Sequence, residues 1–381
     1  MIKAIVASTR EIDGADEAVA EILRSLDLKN NMLKNSIGIV SCFSEFDETG
    51  VAKAICDALP FDCIGSTSNI SSTGKQSDQI IFAITVLTSD DCDFEAVAIP
   101  ISENYEELIR STLSPLVKEP NVKPAMLLTY LPLMSVAGND LLIKAIDSTV
   151  GSVPLFGTAA MDHRVDYSTA RTIYNGKFSN ETIVLGLVRG AVECKFEVAF
   201  FSRDNIREQK AIITKSNDNV LISVNNMPAL KYFESVGLKS DELKSGIVHI
   251  IVDHRDGTGA IPRGVIAFTP EDHMICLATM PVGATIEVGR SDRLSVLLET
   301  EKALKSLVAE EGSVILCYSC IMRYLALELN HITEAEKVIE LVGDMQYMFS
   351  SSGGEICPLP DASGKLKNYY HNYSIVFCKL K

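Results

Sequence analysis

With 381 residues, 47% of them hydrophobic and 22% charged, the chain is long enough for two domains or one elaborate α/β unit, and its composition is that of an ordered globular protein. A formal charge of −15, with no compensating basic run, excludes the wrapping of nucleic acid and docking on an anionic membrane. The opening MIKAIVASTREIDG has no long apolar core or cleavage site, and no apolar stretch reaches spanning length, so a cytoplasmic location is expected.

In chain order, the first informative unit begins with the apolar strand SIGIVSCF (residues 36–43). A helix follows, with Val51, Ala52, Ile55, Cys56 and Leu59 on one face. A second strand ends in the small-residue turn Gly65-Ser66-Thr67-Ser68, a Ser/Thr-rich stretch comes next, and the alternating strand QIIFAITVL closes the block. The same order of parts returns from AMLLTYLPL (125–133), through the helix NDLLIKAIDSTV and the turn Phe156-Gly157-Thr158-Ala159-Ala160, to TIVLGLV.

Between about 195 and 310 the pattern changes. KFEVAFF, NVLISV, GIVHIIV, GVIAFTP, HMICLATM and ATIEVG read as successive strands, with turns at Gly257, Gly259, Pro262, Gly264, Pro281 and Gly283. The polar segment 202–219 is the expected boundary, which divides the chain into 1–200 and 201–381. SDRLSVLLETEKALKSLVAEEG predicts a long amphipathic helix.

The block then returns a third time from SVILCYSC (313–320). Thr333 with Glu336 predicts a helix start, and Ala335, Val338, Ile339 and Val342 its buried face. MQYMF runs into Ser350-Ser351-Ser352-Gly353-Gly354-Glu355, and SIVFCKL closes. Strand, helix and neighbouring strand in succession predict a mixed α/β fold with two mixed β-sheets covered by helices. Glycine turns at strand ends are where such sheets expose backbone N–H groups to a ligand, so three turns around Gly65, Gly157 and Gly354 are the candidate site.

These segments, in this order, resemble the FIST family (F-box and intracellular signal transduction), which has an N-terminal and a C-terminal FIST region. The resemblance runs from about Ile37 to Lys381. It rests on Ile64-Gly65-Ser66-Thr67, on Phe156 to Ala160 with Asp162, and on Tyr174-Asn175-Gly176. Further along it rests on Asn226 to Tyr232, Pro281-Val282-Gly283, Cys317-Tyr318-Ser319-Cys320 with Arg323, Gly354-Glu355-Ile356, and His371-Asn372-Tyr373-Ser374. Two departures bear on the pocket: Asn69-Ile70-Ser71-Ser72 replaces a Gly-Glu pair, and Phe349 with Ser351 replaces a glycine and an aromatic residue.

The resemblance implies an intracellular sensory module, with region 1–200 as FIST N-terminal and 201–381 as FIST C-terminal. Such a module binds a small polar, amino-acid-like ligand and performs no catalysis. The residues expected to hold the ligand are Gly65, Ser66, Thr67, Gly157, Thr158, Asp162, Cys320, Arg323, Gly354, Glu355 and Asn372. Arg323 would grip a carboxylate in a fork and Glu355 an amine; the plain alternatives are a structural salt bridge and a turn residue. No cofactor is expected, and the alternative from the same family is a haem-based nitric-oxide sensor using His163 or His371. A ligand-free scaffold is a further alternative. No kinase, cyclase or methyl-accepting segment is visible, so output would pass to a separate signalling protein.

Other apparent motifs carry nothing. Cys317 and Cys320 have CxxC spacing with no second pair to complete a zinc site, and the ten cysteines, scattered through apolar segments, read as buried thiols. The histidines, His331 among them, show no HExxH spacing. Gly65 to Gly74-Lys75 is too long for a phosphate loop, and Gly257-Thr258-Gly259 lacks the third glycine of a dinucleotide turn.

Overall fold

The computed structural model of the chain describes residues 2–117, 123–133, 138–164, 167–200, 206–254, 259–308, 314–328 and 333–381, leaving aside the side chains of 207–209. Gly257, Ser313 and His331 lie outside the described residues.

The first block is β1 (Lys3–Thr9), α1 (Ala15–Leu26), α2 (Leu28–Asn31), β2 (Asn35–Cys42), α3 (Glu45–Glu48), α4 (Val51–Asp57), β3 (Cys63–Thr67), the short hairpin β4 (Ser71–Thr73) and β5 (Gln76–Asp78), and β6 (Phe82–Ser89). The second repeats it as β7 (Asp93–Pro100), α5 (Tyr105–Val117), β8 (Met126–Leu131), α6 (Asn139–Val150), β9 (Leu155–Ala159), the hairpin β10 (Thr172–Tyr174) and β11 (Lys177–Ser179), and β12 (Thr182–Arg189). Each block therefore starts one strand and one helix earlier than its sequence pattern announces.

The third block opens with β13 (Cys194–Ala199) and is interrupted by an insert. The insert comprises β14 (Ile206–Asn217), β15 (Val220–Val224), β16 (Met227–Pro228), α7 (Ala229–Ser235), α8 (Ser240–Leu243), β17 (Val248–Asp253), β18 (Ala260–Arg263), β19 (Val265–Phe268), β20 (Met274–Cys276) and β21 (Thr285–Arg290). The block resumes with α9 (Arg293–Val308), β22 (Val314–Cys320), α10 (Ile321–Ala326), α11 (Thr333–Val342), β23 (Gln346–Ser352), the hairpin β24 (Glu355–Pro360) and β25 (Leu366–His371), and β26 (Ile375–Leu380).

The mixed α/β class holds, but the described residues build four sheets where two were expected. Each block makes its own six-stranded sheet and the insert a fourth. In each block the second strand (β2, β8, β22) pairs in parallel with the third (β3, β9, β23) and antiparallel with the closing strand (β6, β12, β26). What joins the blocks is an exchange of hairpins. The first block's β4 pairs with β23 in the third sheet, the second block's β10 pairs with β3 in the first, and the third block's β24 pairs with β9 in the second. Each sheet is completed by backbone donated from another block, so the three are tied in a closed cycle.

The segment 202–219, expected as a boundary, carries β14, which pairs with β21 and β15. Charged neighbours hide its alternating Ala211 and Ile213, both of which are buried. The helix over 293–308 forms as expected and buries Val296, Leu304 and Leu307, while Leu294 and Leu298 stay exposed. Helix α11 buries Ala335, Val338 and Val342, with Ile339 half-buried beside them. All ten cysteines are free thiols, and all but Cys194 are buried.

Candidate functional site

The three turns meet. The Met161 N–H donates to the Thr67 carbonyl at 3.1 Å, the Ala159 N–H to the Gly354 carbonyl at 2.8 Å, and the Ser351 N–H to the Ile70 carbonyl at 2.9 Å. Side-chain hydroxyls fill the remaining space. Ser41 Oγ lies 2.6 Å from Ser71 Oγ and 2.8 Å from Ser350 Oγ, Thr158 Oγ1 donates to Ser352 Oγ at 2.6 Å, and the Tyr130 and Tyr318 hydroxyls bond at 2.9 Å. Corners that meet through their own backbone leave little for a ligand. Beside the third, the crevice bounded by Ser319, Cys320, Phe349 and Ser351 is about 10 Å³, room for roughly one water.

The glycines at these turns serve close strand approach. A Cβ on Gly65 would stand 1.9 Å from the Val40 carbonyl oxygen, and one on Gly157 would stand 1.8 Å from that of Thr129. The register places Phe349 at the matching position of the third sheet, opposite Cys317, with its ring in the core under α11. It likewise places Ser71 where Glu355 stands in the second sheet, one residue pairing with Ser350 and the other with Thr158. Both sequence departures therefore fall on matching structural positions.

Arg323 and Glu355 do not face each other as an open pair. Arg323 is 2% exposed, and its guanidinium donates from Nε and Nη2 to Glu334 Oε1 at 3.0 and 2.7 Å, from Nη2 to Thr300 Oγ1 at 2.7 Å and the Val296 carbonyl at 3.0 Å, and from Nη1 to the Phe200 carbonyl at 3.1 Å. Glu334, also buried, accepts from Ser319 as well. This network pins α9, α10 and α11 to β22, and a ligand carboxylate would have to displace Glu334. Cys320 is buried and burial raises its thiol well above the usual range, so it is no ready nucleophile.

Glu355 is fully buried; one carboxylate oxygen accepts from the Ser374 hydroxyl at 2.5 Å and from its N–H at 3.3 Å. Burial pushes its pKa up to about 8, against the smaller lowering pull of the Ser374 and Ser352 hydroxyls and the Arg323 charge. At neutral pH the group is mostly the uncharged acid and gives a ligand ammonium no full counter-charge. Its other oxygen, Asn372 Oδ1 and His371 Nδ1 have no hydrogen-bond partner among the described residues.

His371 donates from Nε2 to the Cys357 carbonyl at 2.8 Å, and its ring lies 5.6 Å from that of Phe200. Burial drops its pKa to about 3. With Nε2 committed and Nδ1 sealed in the interior, His371 does not fit axial ligation of a haem as it stands. His163 is half-buried, stacks on Phe43 with centroids 4.4 Å apart, and lies 3.4 Å by Nδ1 from Ser44 Oγ. Its neighbour Asp162 accepts from the Thr169 hydroxyl and N–H, both at 2.8 Å, which closes the turn after β9.

A larger cavity lies where sequence reasoning named no site. A cleft of about 490 Å³ separates the insert from the third block, within the range of small-ligand pockets. Strand alternation explains it. Ile250, Val252, Ile286 and Val288 turn to the insert's own core, so Ile251, Asp253, Thr285 and Glu287, which are register partners across β17 and β21, turn the other way into the cleft. Phe200, Leu359 and Pro360 form the opposite wall, and Lys210 Nζ stands 3.6 Å from Glu287 Oε1 at the edge. The available signal was the alternation in VHIIVD and TIEVGR, with one acid on each outward face.

A family model described as FIST N domain matches residues 36–227, and one described as FIST C domain matches residues 221–358. No curated protein matches the sequence. Among solved structures, the chain is similar to a cyanuric acid hydrolase from A. caulinodans at 7% identity and a TM-score of 0.38, over 99% of this chain and 99% of that one. It is similar to a second cyanuric acid hydrolase structure at 9% identity and 0.36, over 100% and 98%, and to T. maritima PurL complexed with FGAR at 10% identity and 0.21, over 100% and 72%. At these scores the likenesses say nothing about activity here.

Proposed function

Because the chain belongs to the FIST family, whose regions are sensory signal-transduction domains, we propose that it senses a small polar, amino-acid-like metabolite bound in the cleft between the insert and the third block. The observation that carries this reading is the cleft. It has the volume for such a ligand, an apolar body from Phe200, Ile251, Pro262 and Leu359, and groups of both charge signs in Asp253, Glu287 and Lys210. An ammonium head suits the carboxylates and a carboxylate suits Lys210, whose link to Glu287 is long and exposed enough to exchange. The interlocked corners act as the rigid frame rather than the pocket. A ligand touching both walls would bias how the insert sits on the three-block body, a change that a separate partner protein could read. The protein acts as a receptor rather than a catalyst in this reading.

Calorimetry with the common amino acids on the wild-type protein, Glu287→Gln and Lys210→Gln tests it. At least one ligand should bind the wild type and lose about tenfold in affinity in each variant, the loss of one charge-assisted contact. Binding that is indifferent to both substitutions would place the ligand elsewhere.

A further inference from the structure

We propose that the groove between α5 and α6 is a second binding site, which takes a small phosphate monoester. The groove measures about 380 Å³ and is lined on α5 by Tyr105, Glu106, Arg110 and Ser114, and on α6 by Leu141, Lys144, Ser148 and Thr149. Arg110 and Lys144 are exposed, and neither has an ion pair or hydrogen bond among the described residues. Glu106, Glu107, Asp140 and Asp147 share these helices, so what draws an anion is not a positive field but the two cations themselves, which flank one groove with no acid paired to either among the described residues.

The guanidinium fork and the ammonium point charge are the two side chains best suited to phosphate oxygens. Ser114 adds a hydroxyl. Those of Ser148 and Thr149 now donate to the Ala145 carbonyl at 2.8 and 3.0 Å and would have to turn to join it. The groove is polarised along its length. Burial raises the Tyr105 hydroxyl, with Glu106, Asp218 and Asp140 adding to it, so acids gather at that end and the anionic head belongs beside Arg110 and Lys144. The Tyr105 and Leu141 side chains then offer the ester's organic part a flat, partly apolar rest. The site lies on the second block, away from the cleft, and does not depend on the sensing proposal.

Titration calorimetry with phenyl phosphate tests it, on the wild type, Arg110→Gln, Lys144→Gln and, as a control cation on α9, Lys302→Gln. Arg110 and Lys144 are surface residues and Lys302 has 79% of its side chain exposed, so all three variants should keep the wild-type melting midpoint. The expected result is saturable one-site binding, weakened about tenfold by either groove variant and unchanged in the control, with inorganic phosphate several-fold weaker. Absence of saturation, equal loss in Lys302→Gln, or inorganic phosphate binding as tightly as the ester would each overturn the proposal.

Discussion

Glu355 and His371 stand directly opposite each other across the hairpin of β24 and β25, both fully buried, each with one acceptor atom unpartnered among the described residues. Their folded pKa values are pushed in opposite directions by the same cause, burial, which penalises whichever form is charged.

This pair sets a pH dependence of stability. Glu355 rises from 4.5 to about 8, so its contribution is full below pH 4.5 and is lost as pH climbs through 8. His371 falls from 6.5 to about 3, so its contribution is full above pH 6.5 and is lost as pH drops toward 3. Stability should therefore peak between the two arms. In Glu355→Gln, which cannot ionise, the fall between pH 6 and 9 should shrink by about 3 kcal/mol, measured by denaturant melts at both values. An unchanged alkaline arm would mean that Glu355 is already ionised in the fold.

Close strand approach at the turns predicts a structural cost. Gly65→Ala and Gly157→Ala each place a carbon against a backbone oxygen that cannot move aside, and should destabilise by about 3 kcal/mol or more. Urea midpoints give the number. Variants that melt like the wild type but change ligand affinity would instead return these glycines to a pocket-lining role.

Arg323 and Glu334 form a buried, multiply bonded pair, so removing one partner leaves a charge stranded. Arg323→Met or Glu334→Leu should each cost about 3–5 kcal/mol, and the double variant Arg323→Met/Glu334→Leu much less than their sum. A double-mutant cycle in urea measures the coupling. Additive losses would contradict the network.

Burial of the thiols predicts slow chemistry. Cys194, alone among the ten in being half-exposed, should react promptly with an aromatic disulfide reagent in the native protein, and the rest should react on unfolding. Rapid reaction of Cys320 would show the third corner to be open.

The repeated blocks were legible because each carries its own apolar strands and one-faced helices, as in Val51 to Leu59 and Ala335 to Val342. The hairpin exchange was not, for its strands are as short as Ser71–Thr73 and rich in hydroxyls, with no apolar period, and its partners are remote, Ser72 opposite Phe349 and Glu355 opposite Thr158. That is why two sheets were expected and four found. Convergence of the three turns was readable as a common position at strand ends, but whether they would enclose space depended on how closely their backbones meet. Arg323 was read as a grip for a ligand carboxylate, with a structural salt bridge as the plain alternative, and its partner in the fold is Glu334, eleven residues on, because α11 folds back over β22. The cleft was easily missed since VHIIVD reads at first as an apolar run, and only Asp253 on β17 and Glu287 on β21 mark the faces turned into it.

Thermal melting of the wild type and of Ala260→Trp against a metabolite library probes the cleft most directly, since Ala260 lies on its wall and an indole there would fill it. At least one amino-acid-like compound should raise the wild-type midpoint by several degrees and leave the filled variant unmoved, in line with mass-action stabilisation of a single site. A ligand that shifts both proteins equally, or a library that shifts neither, would contradict the assignment of the cleft as the sensing pocket.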